Sequence, residues 1–319
     1  MWLLRVAMAH RKILIVDWTS PAPITNFLLP NYIDWTANGL DKVGVDIHRA
    51  NDLDDATFDA AVYEGRPDAV ERLRNTKLFT IMTNQHFYIN TMKDVPPVNY
   101  TTKLEAGSCH YHFLFKLNQT IVTRGEQHLM KLYGSTTPPY VAWHWRHFDA
   151  DGREEQPVLL SHLGAALQCA ESLGDGVGID VRKQPVMLVT DFNVMRHLVL
   201  RGRLAQVVTP NITARHLDKP VVPVGVDPKV AAALDTFTDI FVDLYLLSRA
   251  RCLLTSRSGF SKMALWMGGG GGKGPILTCH RDMIKCEEEI VWRRQQRRQL
   301  RRGRVARRAL LQLQLQGAA

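Results

Sequence analysis

His144, Arg146, His147 and Asp149 crowd two imidazoles, a guanidinium and a carboxylate into six positions, directly after the apolar run Tyr140-Val141-Ala142-Trp143. The run reads as a buried strand, so the cation falls where a strand should end. In an open α/β sheet, ligands bind at the carboxyl ends of strands. The planar fork of Arg146 matches phosphate or carboxylate oxygens two at a time. The functional reading is an anion clamp, with Arg146 on a phosphate and His144 and Asp149 fixing the loop. The structural alternative is an Arg–Asp pair closing a strand among packing aromatics, and chemistry alone gives it equal weight.

Two further segments carry related chemistry. Thr255 to Ser261 (TSRSGFS) lies between a strand-like run and a helix-like one. Small hydroxyls and Gly259 there let backbone N–H groups approach an anion at a helix start. An ordinary N-cap and turn would use the same residues. Thr190-Asp191 ends another apolar run. Its carboxylate is suited to a nucleobase or sugar hydroxyl, or to capping the next helix.

Other patterns are weaker. His216-Leu217-Asp218 is more often incidental than a catalytic pair. Asp52-Leu53-Asp54 has a metal-type spacing, but it precedes a helix, where acidic residues suit the dipole anyway. Walker A, dinucleotide-binding and serine-hydrolase signatures are missing. The five cysteines form no C-x-x-C pair, which argues against structural zinc.

Positioning these residues requires alternating strands and helices. Residues 12–17 (KILIVD) predict a central parallel strand buried on both faces. Pro21, Pro23 and Pro30 impose a loop. A helix over 55–74, a strand over 77–83 and helices over 109–117 and 124–133 follow. Residues 134–139 (GSTTPP) read as a linker. Beyond it the spacing predicts strands over 140–145, 185–191, 207–208 and 251–255. Helices are predicted over 158–173, 238–249 and 262–267, with a turn over 256–261. The glycine run 268–272 reads as a flexible loop, and 287–316 is rich in helix formers. This alternation indicates an α/β fold with a mainly parallel sheet.

The net charge of +9 is not spread over the fold. Residues 293–319 hold nine Arg and no acidic residue, leaving 31 basic against 31 acidic side chains in the rest. The core therefore has no bias towards nucleic acid. The basic tail suits an anionic surface such as RNA or lipid, or is simply a solvated extension. No apolar run reaches the ~18–20 residues of a membrane helix. The amino-terminal run is too short for a signal peptide, so a targeting segment is expected to be absent or to lie outside the chain. Cys252, inside an apolar run, reads as a core thiol. Cys279 and Cys286 are candidates to pair in an oxidising compartment, although spacing alone does not show it. Sequons at Asn99, Asn118 and Asn211 lean towards the secretory lumen.

Four motifs stand in a fixed order. H-x-R-x-x-D comes first (His144, Arg146, Asp149), then T-D (Thr190, Asp191). A helix follows, carrying Asp239 and then F-x-D-x-x-x-L-S-x-A (Asp243, Leu247, Ser248, Ala250). Thr255 and S-x-S-x-F-S (Ser256, Ser258, Phe260) complete the series. Over residues 140–265 this resembles the donor half of GDP-fucose-dependent fucosyltransferases of the α-1,6- and protein O-fucosyltransferase kind. Residues 15–18 look like the first strand of such proteins.

The resemblance implies a GT-B fold of two Rossmann-like halves facing a cleft. It also implies an acceptor-side domain over 1–137 and a nucleotide-sugar domain over 138–286, followed by the Arg-rich helical or disordered tail that the composition of 287–319 indicates. Arg146 would contact the diphosphate and stabilise charge on GDP as the glycosidic bond breaks. Asp191 would lie near guanine. Ser256, Ser258, Gly259, Phe260 and Ser261 would hold the phosphate oxygens, with His144 and Asp149 completing the donor site. Asp17 is the candidate for reaching the acceptor as a base. The reaction implied is inverting and metal-independent, with GDP-fucose as donor substrate and no cofactor. The acceptor is a glycan or protein hydroxyl, and the expected location is the Golgi or ER lumen. His147 stands where the α-1,6 branch has a second arginine. The glycine run and basic tail have no counterpart. A non-catalytic GT-B-like protein that binds a glycan or nucleotide is the alternative.

Overall fold

The computed structural model describes residues 13–16, 22–36, 47–51, 78–82, 103–146, 156–212, 228–256, 258–269 and 277–290, with six isolated positions (4, 7, 8, 67, 71 and 292). The chain divides into two compact units, Met1–Ile121 with Gly269–Gly274, and Val122–Gly268 with Pro275–Ala319.

In the first unit, strand β1 (Leu28–Pro30) pairs antiparallel with β4 (Phe115–Leu117). β2 (Ile47–Asn51) pairs in parallel with β3 (Leu78–Met82). Helix α1 (Lys103–Leu114) runs straight into β4. Trp35, fully buried, anchors this unit: its indole Nε1 donates to the Leu114 carbonyl at 2.5 Å, and its ring meets Phe115 edge-on at 5.1 Å. Two expectations fail here. Ile13–Val16 carries no strand, and Ile13 is 84% exposed rather than buried on both faces. A continuous apolar run fixes no period, so it does not by itself specify a central strand. The helix expected to extend to Leu117 stops at Leu114, because residues 115–117 are drawn into pairing with β1.

The second unit begins within α2 (Gln119–Tyr133) and is built on one five-stranded sheet. In chain order its strands are β5 (Val141–Trp145), β6 (Val186–Thr190), β7 (Val207–Val208), β8 (Cys252–Thr255) and β9 (Cys279–Asp282). Their spatial order is β7-β6-β5-β8-β9, every pair parallel. The first strand of the unit is thus central, and the chain works outward first on one side and then on the other. Such a sheet has a topological switch point between β5 and β8, outside their carboxyl ends.

Helices cover the faces, as a parallel sheet buried on both sides requires. They are α3 (Gln156–Gly176), α4 (Asn193–Leu200), α5 (Pro228–Arg249) and α6 (Gly259–Gly268). Period-two alternation sorts the side chains of β5. Val141, Trp143 and Trp145 join Leu163, Ala166 and Ala170 of α3 in one apolar cluster. Tyr140 and His144 point the other way; the Tyr140 hydroxyl donates to the Leu246 carbonyl of α5 and His144 meets α6. α6 starts at Gly259, three residues earlier than the sequence suggests, because Ser258 caps it: its hydroxyl oxygen accepts from the Phe260 N–H at 3.1 Å.

The cysteine expectations are corrected. Cys252 is buried but bonded to Cys279, its direct neighbour in the β8–β9 register. Cys286 pairs with Cys169 of α3, not with Cys279. Lateral strand order brings these residues together, and sequence spacing does not encode it. Among the described residues no helix is long and apolar enough to cross a membrane.

Candidate nucleotide-sugar site

The β5, β6 and β8 strands end side by side, with Trp145 opposite Thr190 and Trp143 opposite Leu254. One residue past the ladder, Arg146 and Asp191 meet: guanidinium Nη1 lies 3.0 Å from the carboxylate Oδ2. Both side chains keep a foothold in solvent, at 26% and 19% exposure, so an incoming anion can reach the pair. Thr190 shapes the turn after β6, its hydroxyl oxygen accepting from the Phe192 N–H at 3.1 Å.

On the other side of β5, His144 spans the switch point. Its Nδ1 lies 2.5 Å from the Ser261 hydroxyl and 3.1 Å from that of Ser256, and its ring packs against Phe260 at 5.2 Å. A neutral imidazole carrying its proton on Nε2 accepts from both hydroxyls. Burial, reinforced by Arg146 and Arg196, pushes the His144 pKa down to about 3, so the ring is uncharged at physiological pH. His144 is therefore a fixed neutral strut that ties β5 to the start of α6. Ser258 and Gly259 lie at that start, where the positive end of the helix dipole favours an anion.

The structure thus gathers His144, Arg146, Asp191, Ser256, Ser258, Gly259, Phe260 and Ser261 at one edge of one sheet, although up to 117 residues separate them in sequence. Asp17, His147, Asp149, the Asp52–Asp54 pattern and the His216–Asp218 pair lie outside the described residues. Among the described residues, no group of three His, Cys, Asp or Glu side chains is arranged to hold a metal ion.

One residue of this neighbourhood escapes sequence reading. Arg196 of α4 is 1% exposed. Its Nε donates to the Thr190 carbonyl at 2.7 Å, and Nη2 bonds and ion-pairs with Asp243 of α5. The available signal was modest: Arg196 shares the face of an amphipathic helix with Met195 and Val199.

No protein family matches the chain, and no curated protein does either. Solved structures do. A mutant FUT1 of Arabidopsis thaliana in complex with GDP is similar at 12% identity, TM-score 0.51, covering 84% of this chain and 64% of that one. Fucosyltransferase NodZ from Bradyrhizobium gives 14% identity and TM-score 0.43 over 82% and 86% of the two chains. POFUT1 in complex with GDP gives 12% and 0.43 over 86% and 91%. The likeness to FUT1 establishes the fold: this is the α/β fold of the GT-B fucosyltransferases.

Proposed function

We propose that the chain is a glycosyltransferase that moves fucose from GDP-fucose to a glycan or protein hydroxyl, with inversion and without a metal. The observation that carries this reading is the convergence of three sequence motifs at the β5/β8 switch point. There Arg146 pairs with Asp191 past the end of β5, and His144 ties the same strand to the capped start of α6. The fold, shared with GT-B fucosyltransferases, supports it.

In the reaction, the acceptor oxygen attacks the anomeric carbon and the bond from that carbon to the diphosphate oxygen breaks. Its electron pair leaves with GDP, while the acceptor proton passes to a base. Arg146 supplies the charge that the leaving diphosphate needs, an electrostatic contribution that is largest where water is excluded. Asp191 holds the guanidinium ready when no ligand is present and lies on the nucleotide side. Ser256, Ser258 and the α6 start take further phosphate oxygens. His144, being neutral, repels no cation and keeps the loop after β8 in register. Asp149 completes the donor site, and Asp17 is the candidate base. The nucleotide-sugar domain is assigned to 138–286, the acceptor side to 1–137 and the basic tail to 287–319.

The secretory lumen is the proposed location, supported by the Cys169–Cys286 and Cys252–Cys279 disulfides and by the exposed sequon residue Asn211. The test of function is a transfer and hydrolysis assay with GDP-fucose, run with and without EDTA and beside UDP-sugars. Turnover with GDP-fucose alone, insensitive to EDTA, is expected. Binding of GDP with neither hydrolysis nor transfer to any offered acceptor would favour the non-catalytic reading.

A further inference from the structure

Arg196 is a buried cation with no place in the reaction as derived above. Desolvating a guanidinium and a carboxylate is costly, and a well-packed apolar pair of similar volume serves stability as well or better. The pair is also imperfectly satisfied: among the described residues, Arg196 Nη1 and Asp243 Oδ1 find no hydrogen-bond partner. Stability is therefore a poor account of why the pair exists.

Its geometry suggests another. The β5–β6 ladder ends at Trp145 and Thr190, so the sheet itself does not hold Asp191 opposite Arg146. Arg196 takes over at that point. It grips the carbonyl of Thr190, the residue before Asp191, and is itself fixed by Asp243 on α5. Three elements, β6, α4 and α5, meet in this one side chain. Two different nitrogens of one planar group, Nε and Nη2, reach the two partners, whereas a lysine ammonium places all its donors on one nitrogen.

We propose that Arg196 is a positioning residue for the diphosphate site: by anchoring the end of β6 to α5 it sets Asp191, and through Asp191 the orientation of the Arg146 fork. This rests on Arg146 being the diphosphate clamp.

The test measures GDP affinity by calorimetry and melting temperature for four proteins: wild type, R196M/D243L, R146A and the triple variant. The double change replaces an ion pair with apolar groups, so it is expected to melt within a few degrees of wild type or above it. GDP binding should weaken about tenfold, since small misplacements of a positioned group are felt strongly. In the Arg146→Ala background the same double change should alter affinity less than about twofold, because the group it positions is gone. Wild-type GDP affinity in R196M/D243L would overturn the proposal. So would an equal loss in both backgrounds, which would show Arg196 or Asp243 meeting the ligand directly. If R146A alone leaves GDP affinity unchanged, the clamp reading falls and this inference with it. Should R196M/D243L fail to fold, R196K takes its place. It keeps a cation beside Asp243 but releases Thr190; a similar loss of affinity supports the proposal, and wild-type affinity refutes it.

Discussion

A histidine whose pKa is pushed down to about 3 has left the physiological titration range, and this has a consequence for stability. In the unfolded chain the ring takes up a proton below about pH 6.5. In the folded protein it does so only near pH 3. The folded pKa is thus depressed, so stability is fully retained above about pH 6.5 and lost progressively as pH falls from there towards 3. Urea midpoints measured between pH 7.5 and 5 should fall with acidification, and fall less steeply in His144→Gln. Equal slopes in the two proteins would show that His144 is not the group responsible. This single-residue behaviour is partly legible in the sequence: a histidine at the end of an apolar run marks position 144, whereas its neutrality follows only from burial between Ser256 and Ser261. Arg196 was not legible in that sense, because its two partners come from β6 and from α5, 47 residues further on.

Elements were readable where long-range partners did not decide them. β5, β6 and β8 are short apolar runs bounded by polar residues, and each lies within a residue of its expected limits at either end. β1 and β4 escaped because each exists only by pairing with the other, Leu28 opposite Leu117. Packing between elements leads to two expectations. Trp143 is 1% exposed, and its ring stacks on Trp145 at 5.2 Å. Trp143→Ala should cost about 3–5 kcal/mol in chemical denaturation, as for other large buried aromatics. At Gly268 an added Cβ would lie 2.5 Å from the Ser248 carbonyl oxygen of α5. Gly268→Ala should therefore push α6 off α5 and destabilise by about 1–3 kcal/mol. A wild-type midpoint in that variant would mean the two helices do not approach so closely.

At the scale of the molecule, cross-links and charge distribution matter most. The Cys169–Cys286 bridge closes a loop across 117 positions, tying α3 to the helical stretch 283–290. Replacing both cysteines with serine should cost about 2–5 kcal/mol, the range typical of native disulfides. Non-reducing peptide mapping would check the pairing itself. The net positive charge resides in the tail, so removing residues 293–319 should leave GDP affinity unchanged while weakening adsorption to anionic vesicles. The α/β alternation of the second unit could be read along the chain because strand–helix order is a local property. Strand order β7-β6-β5-β8-β9 could not, since it is a matter of lateral placement, yet that order creates the switch point where the site lies. The most direct measurement is calorimetric titration of wild type and Arg146→Ala with GDP, with UDP as control. The account predicts binding of GDP but not UDP by wild type, and a loss of about 10- to 100-fold in the variant, as removal of a charge-assisted contact to phosphate implies. GDP affinity in Arg146→Ala within about threefold of wild type would contradict the clamp at the end of β5.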